Sequence, residues 1–383
     1  MSFPLHDAPQ AMEAARHLQS VFTTRAARHD RTGQFAHENI EDLRQAGLLS
    51  LPIDTPQRPT AFKLGVVAAI VGTIAQADAS TALVLVNHYM VRAAMARHEC
   101  GSAALARWVE EEQHDQLLNI LLAEPDLGSA SRGGLPGTVA TRTSAGWCLN
   151  GRKAYVTGIP GLSWLLVRAR TTEETPRVGL FMVPATAPGI TVIENWDHIG
   201  MRASNSHEVI LHDVPLRADA ALDLHLPDTP PAPRNTLLLW NTGLLGALYN
   251  GIATAALDWF VTFLKTRVPS SLGAPLATLP GMRDAVGGFS LTLHMNTMLL
   301  DRYMTGVETD APPERLNADA AVIKAKVVDA AGDFTSAIMG LAGNAGLSAH
   351  NPLERAHRDA LCGRIHAPHG ELLRSRAGQA ALA

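Results

Sequence analysis

The spacing of apolar residues changes twice along the chain. Between residues 8 and 115 they recur every three or four positions, which predicts helices over 11–29, 37–48, 62–77 and 80–98. Gly47 marks a stop, and Asp78-Ala79-Ser80 reads as the cap that separates the last two. From 117 to 216 the pattern shortens to β-rich runs: LLNILLA, GTVATRT, GWCLNG, SWLLVRAR, VGLFMVPA, GITVIE and HEVILHDV. Gly, Pro, Asn and Asp separate them, as in an antiparallel barrel or sandwich. LPDTPPAPRN, 226–235, reads as an extended linker. Helical spacing then returns. Val286, Phe289, Leu293, Thr297, Leu300 and Met304 form one face of a long helix, and 316–339 repeats the theme before a glycine turn at 343–346. The order helices, strands, helices predicts an α+β protein with domains at 1–116, 117–225 and 226–383.

Composition narrows the function classes. The 383 residues are 46% hydrophobic and 18% charged, with net charge −4 and no basic run, so neither nucleic acid nor an anionic membrane surface is an expected partner. Cys100, Cys148 and Cys362 are scattered and form no CxxC pair, which points to a reducing, cytoplasmic setting without a disulfide frame or structural zinc. The first 20 residues lack the cationic start and apolar run of a secretory signal. The most apolar stretch, 237–264, is interrupted by Asn241, Thr242, Asn250 and Asp258, so a buried helix is expected there in preference to a membrane span.

Five segments carry a resemblance to the acyl-CoA dehydrogenase superfamily, over nearly the whole chain. AEPDLGS (123–129) is similar to its TEPxxGS signature, and GWCLNGRKAYVTG (146–158) to its G-x-x-L-N-G-x-K-x-W-I-T-N strand pair. PGITVIENWDHIGMRASNSHEVILHDVPL (188–216) follows the run that closes its β-domain, and Lys326 sits where a helical lysine precedes the glycine turn. GNAGLSAHNPLERAHRDALCGRIHA (343–367) resembles its closing segment, with Pro352, Glu354, Arg358, Asp359 and Ile365 in register. The resemblance implies an acyl-CoA dehydrogenase fold: an N-terminal helical domain, a middle β-barrel or sandwich and a C-terminal four-helix bundle. It also implies a flavin, FAD or FMN, and a homotetramer. The backbone at Leu122, Ala123 and Ser129 would meet the ring edge, with Tyr155 and Thr157 on its other side. Gly343 and Gly346 would let backbone approach a phosphate. For Thr157 the plain alternative is a threonine chosen for strand propensity.

Departures from the family pattern bear on function. A dehydrogenase needs a carboxylate beside the substrate α-carbon, and the register places Ala367 there; the alternative position on the first bundle helix holds Thr236. The aspartate of TEPxxGSD is Ala130, and the R-x-x-F-G motif is replaced by Thr266-Arg267-Val268-Pro269. Imidazoles surround the altered position instead. His366, His369, His88 after Asn87, the Thr157-Gly158 pair and Arg267 match the branch containing dibenzothiophene monooxygenase and related two-component flavin monooxygenases. That resemblance implies an oxygenase that receives reduced flavin from a separate reductase and acts on a small, apolar substrate through a flavin C4a-(hydro)peroxide. His369 would be the leading acid/base, with His88 and His366 in support and Thr157 beside N5. Simpler roles exist for each: His366 as the cation ending a helix, Asn87-His88 as a buried polar pair. His366-x-x-His369 is a poor metal pair because Pro368 breaks helical geometry and no third ligand is evident. Two other functions fit the sequence: a dehydrogenase or oxidase with a relocated base, and a silent flavin- or acyl-CoA-binding protein.

Overall fold

Capping and burial explain the N-terminal helices. The computed structural model describes residues 5, 7–53, 62–97, 115–127, 134–229 and 235–382. In α1 (Ala8–Thr32) the Asp7 side chain accepts from Gln10 N, and Ala11, Ala15, Leu18, Phe22 and Ala26 form the buried stripe. α2 (His37–Gln45) leads to a short turn at Leu48–Ser50, then α3 (Leu64–Ala77) and α4 (Ala79–Ala96). Asp78 caps α4 as expected, accepting from Thr81 N at 3.0 Å and from Asn39 Nδ2 at 3.2 Å.

The middle domain is one eight-stranded sheet. Its strands are β1 (Leu118–Leu121), β2 (Val139–Thr143), β3 (Gly146–Val156), β4 (Trp164–Thr171), β5 (Val178–Pro184), β6 (Ile190–Ile193), β7 (His207–Arg217) and β8 (Ala221–His225). They run in the order β6-β7-β3-β2-β4-β5-β8, with β1 beside β4. The sheet is mixed, not purely antiparallel: β4 pairs in parallel with both β1 and β2. β4 returns beside β2 instead of beside its predecessor β3, so it runs along with β2. β8 was not expected; it is a five-residue edge strand on β5. The β3–β7 pairing shifts register between Leu149 and Gly151 and again between Lys153 and Val156, irregularities that bend β3 where the candidate site residues begin.

α5 (Thr236–Thr266) follows, capped by Asn235, whose side chain accepts from Leu238 N. It is long and apolar enough to cross a membrane, but 67% of its most apolar window is buried inside the protein against α3, α4 and the later helices, as befits a core helix. α6 (Pro280–Glu308) buries Leu300, Tyr303 and Met304 near its end, while Leu291, Met295 and Met298 stay exposed. The run expected over 316–339 is divided into α7 (Pro313–Ile323), a π-helical turn Lys324–Val328 and α8 (Ala331–Ala342). α9 (Pro352–Leu361) and α10 (Gly370–Leu382) complete the chain.

Candidate functional site

The end of β3 and the exit of β1 lie side by side. Ala154 N donates to Ala123 O at 3.0 Å, and Asn119 Nδ2 to Thr157 O at 2.9 Å, so Leu122, Ala123, Tyr155 and Thr157 share one edge of the sheet. Tyr155 adopts φ 57°, uncommon for a bulky residue, and is 64% exposed. Beside it His198 stacks on Trp196, with centroids 3.6 Å apart and planes 14° apart, and meets Tyr155 edge-on at 6.4 Å. This aromatic group was not singled out from the sequence, although the W-D-H run carries it. Behind the edge, Thr157 Oγ1 bonds Ser206 Oγ at 2.9 Å, which bonds Ser204 Oγ at 2.8 Å. Such an arrangement offers an exposed aromatic face and a hydroxyl to a planar heterocycle.

Two carboxylates near this edge have structural roles. Glu124 accepts from Gly137 N, Thr138 N, Thr138 Oγ1 and Lys153 Nζ, the last at 2.7 Å. Lys153 is fully buried and also donates to Arg168 O; burial pushes it down to about 8. Asp359 accepts from Met201 N at 2.7 Å and is pushed up by burial to about 7. Its neighbour Arg358 grips both oxygens of Asp30, both of Glu354 and Ile199 O. A Cβ on Gly200 would lie 2.2 Å from Arg358 O, so only glycine lets this turn press on α9. Met201 connects the two regions, since its carbonyl accepts from Ser204 N.

The segment carrying Ala367 follows α9. His366 ends the turn Cys362–Ile365, and its Nε2 is closed off from solvent without a partner. Burial, with Lys324 nearby, pushes His366 down to about 4, so it is not the cation expected at a helix end. Tyr249 of α5 lies beside it. Lys324, from the π-helical turn, reaches Gly363 O and pairs with Asp329 at 2.8 Å. His369 is half-buried just before α10.

His88 is placed differently from its expected role. It is fully buried, with Nε2 2.9 Å from Leu49 O and Nδ1 accepting from Leu118 N at 3.4 Å. Burial beside Arg92 pushes it down to about 3. Both nitrogens are committed to backbone, so the ring ties α4 to the 48–51 turn and to β1 and has none left for a ligand; it is the buried polar residue that was its simpler reading. Arg267 is exposed at the C-terminal end of α5, 18 residues beyond Tyr249 and so about 27 Å along the helix. Gly343, with φ 60°, and Gly346 form the turn after α8. No hydrogen bond or ion pair among the described residues joins Arg267, Gly343 or Gly346 to Thr157. Ser129 lies outside the described residues. A separate shallow cleft, between α3, α5 and α9 and walled by Trp259 and Arg355, contains none of the predicted site residues.

Comparison with known proteins agrees with this architecture. Residues 119–214 match the family model for the acyl-CoA dehydrogenase middle domain and residues 244–371 that for the C-terminal domain. L-evernosamine nitrososynthase of Micromonospora sp. is 29% identical, covering 90% of this chain and 83% of its own. Bovine (Bos taurus) mitochondrial short-chain specific acyl-CoA dehydrogenase is 26% identical, covering 91% and 83%. The structure of FMN-bound TdsC from Paenibacillus sp. A11-2 superposes with TM-score 0.85 at 22% identity over 96% of each chain, a likeness of fold. With two models of one family matched in succession and the fold shared almost end to end, the chain belongs to the acyl-CoA dehydrogenase superfamily.

Proposed function

We propose that this protein is a flavin-dependent monooxygenase that uses reduced flavin and dioxygen on a small apolar substrate. One observation carries the reading: the segment where the superfamily's base is expected holds Ala367 between His366 and His369, and two acids packed near it are already committed. Asp329 is paired with Lys324, and Asp359 holds the Met201 amide. Two of the proteins it resembles fit the reading, since TdsC is FMN-bound and another is a nitrososynthase.

The chain's own groups fit a flavin. Tyr155 would cover the ring, the Leu122–Ala123 backbone would face its polar edge, and the Thr157 hydroxyl would hydrogen-bond it. Arg267, Gly343 and Gly346 are assigned to phosphate. They would serve a site completed by a second copy, in keeping with the expected homotetramer. When bound and reduced, the flavin would supply the electrons that activate dioxygen. His369, half-exposed beside Ala367, would move the proton; His366 would hold a hydrogen bond from the enclosed side. A separate reductase would be the partner. A dehydrogenase with a relocated base is the second reading, favoured by the similarity to the bovine short-chain acyl-CoA dehydrogenase.

Protein supplied with reduced FMN, labelled dioxygen and a fused heteroaromatic such as indole should yield product carrying the label. His369→Ala should divert the oxygen to hydrogen peroxide. Anaerobic bleaching of bound flavin by a short acyl-CoA, with no labelled product, would overturn the oxygenase in favour of the dehydrogenase. Neither response would leave a silent binding protein.

A further inference from the structure

Tyr249 has no part in the scheme above, yet its position is unusual. It is fully buried on α5 and its hydroxyl has no hydrogen-bond partner among the described residues. Buried phenols ordinarily have one. The polar atom left over beside it is His366 Nε2, on a ring whose centroid lies 5.8 Å from that of Tyr249 at a tilt of 59°. The two are complementary, since a phenol donates and a neutral imidazole keeps one lone pair to accept.

The groups around them are taken. Lys324 is held by Gly363 O and Asp329, and Asp359 by Met201 N. Burial keeps the Cys362 thiol protonated, up to about 12. Gly363 packs so tightly that a Cβ there would lie 3.1 Å from Tyr249 Cε1, which holds the phenol in place. Burial beside Lys324 keeps His366 neutral, so its single ring proton must choose one nitrogen.

We propose that Tyr249 is the positioning residue for His366: its O–H is directed at Nε2, directly or across one water, and fixes the imidazole as the Nδ1–H tautomer. Nδ1 is the nitrogen on the side that is not closed off, so His366 offers the site a donor and not a base. This deepens the oxygenase reading, and its relevance to catalysis rests on that reading.

Nitrogen NMR of labelled imidazole in the full-length protein without flavin tests it, with His366→Gln identifying the resonance. At neutral pH the His366 Nε2 should show the shift of an unprotonated nitrogen, and Tyr249→Phe should move the tautomer ratio about tenfold toward Nε2–H. An Nε2–H tautomer in the unaltered protein, or a ratio unmoved by Tyr249→Phe, overturns the proposal. If Tyr249→Phe does not fold, the unaltered spectrum decides alone. No flavin enters the measurement, so its failure leaves the oxygenase assay standing, and a failed oxygenase assay leaves the tautomer assigned.

Discussion

Replacing His88 by Gln separates a structural histidine from a catalytic one. In the fold the ring is neutral, bonded through Nε2 to Leu49 O and through Nδ1 to Leu118 N. A glutamine amide can supply both a donor and an acceptor there, so the variant should lose about 1 kcal/mol at neutral pH. Acid gives the larger signal. The unfolded chain protonates His88 below about pH 6.5, whereas the folded chain resists until about 3. The unfolded state therefore binds more protons in that window, and the stability contributed by the neutral ring is whole above 6.5 and lost as pH falls toward 3. At 1.36 kcal/mol per pH unit, this residue alone should cost the protein about 2 kcal/mol by about pH 5. Urea unfolding followed by tryptophan fluorescence, at about pH 7.5 and about pH 5, measures it. His88→Gln should be slightly weaker than the unaltered protein at the higher pH and equal or stronger at the lower. Identical acid losses in the two proteins would refute the argument. A variant with unchanged stability but no activity would return His88 to the catalytic machinery.

Two other outcomes follow from buried contacts. Lys153→Met should destabilise the β-domain by about 3–5 kcal/mol, because Glu124 keeps its charge and loses its cation; Glu124→Leu with Lys153→Met should recover much of that loss in a double-mutant cycle on urea midpoints. Arg358→Lys keeps the charge but not the planar fork across Asp30 and Glu354, and the guanidinium is partly exposed. A loss of roughly 1–2 kcal/mol is expected, read as faster amide hydrogen exchange along α9 with strands β2–β5 unaffected.

Local signals carried most of the fold. The Asp78 cap and the seven β-rich runs depend on neighbours a few residues away, and each appears where the spacing placed it. Pairings between distant parts were not legible. The parallel placement of β4 beside β2 depends on which strand it returns to, and the 328-residue separation of Asp30 from Arg358 leaves no periodic trace. The π-helical turn at Lys324–Val328 was hidden because a helical pattern reads the same through it. At the candidate site, Tyr155, Thr157, Leu122 and Ala123 converge because β1 and β3 neighbour each other. His88 misled because its partners are backbone groups of Leu49 and Leu118, which a sequence does not display.

The row of hydroxyls behind Thr157 has an arithmetic of its own. Three oxygens carry three hydrogens and share two links, so one hydrogen must leave the row, from Ser204, from Thr157 or from Ser206 between them. Ser204 and Ser206 are enclosed, at 0% and 4%, and among the described residues their Oγ atoms meet nothing outside the row, whereas Thr157 keeps 8% of its surface open. An enclosed hydroxyl hydrogen facing no acceptor costs about 1–3 kcal/mol, so the spare one emerges at Thr157. Whatever lodges against that threonine meets a ready donor, so a lone pair is favoured there, a preference set by serines that never touch the guest.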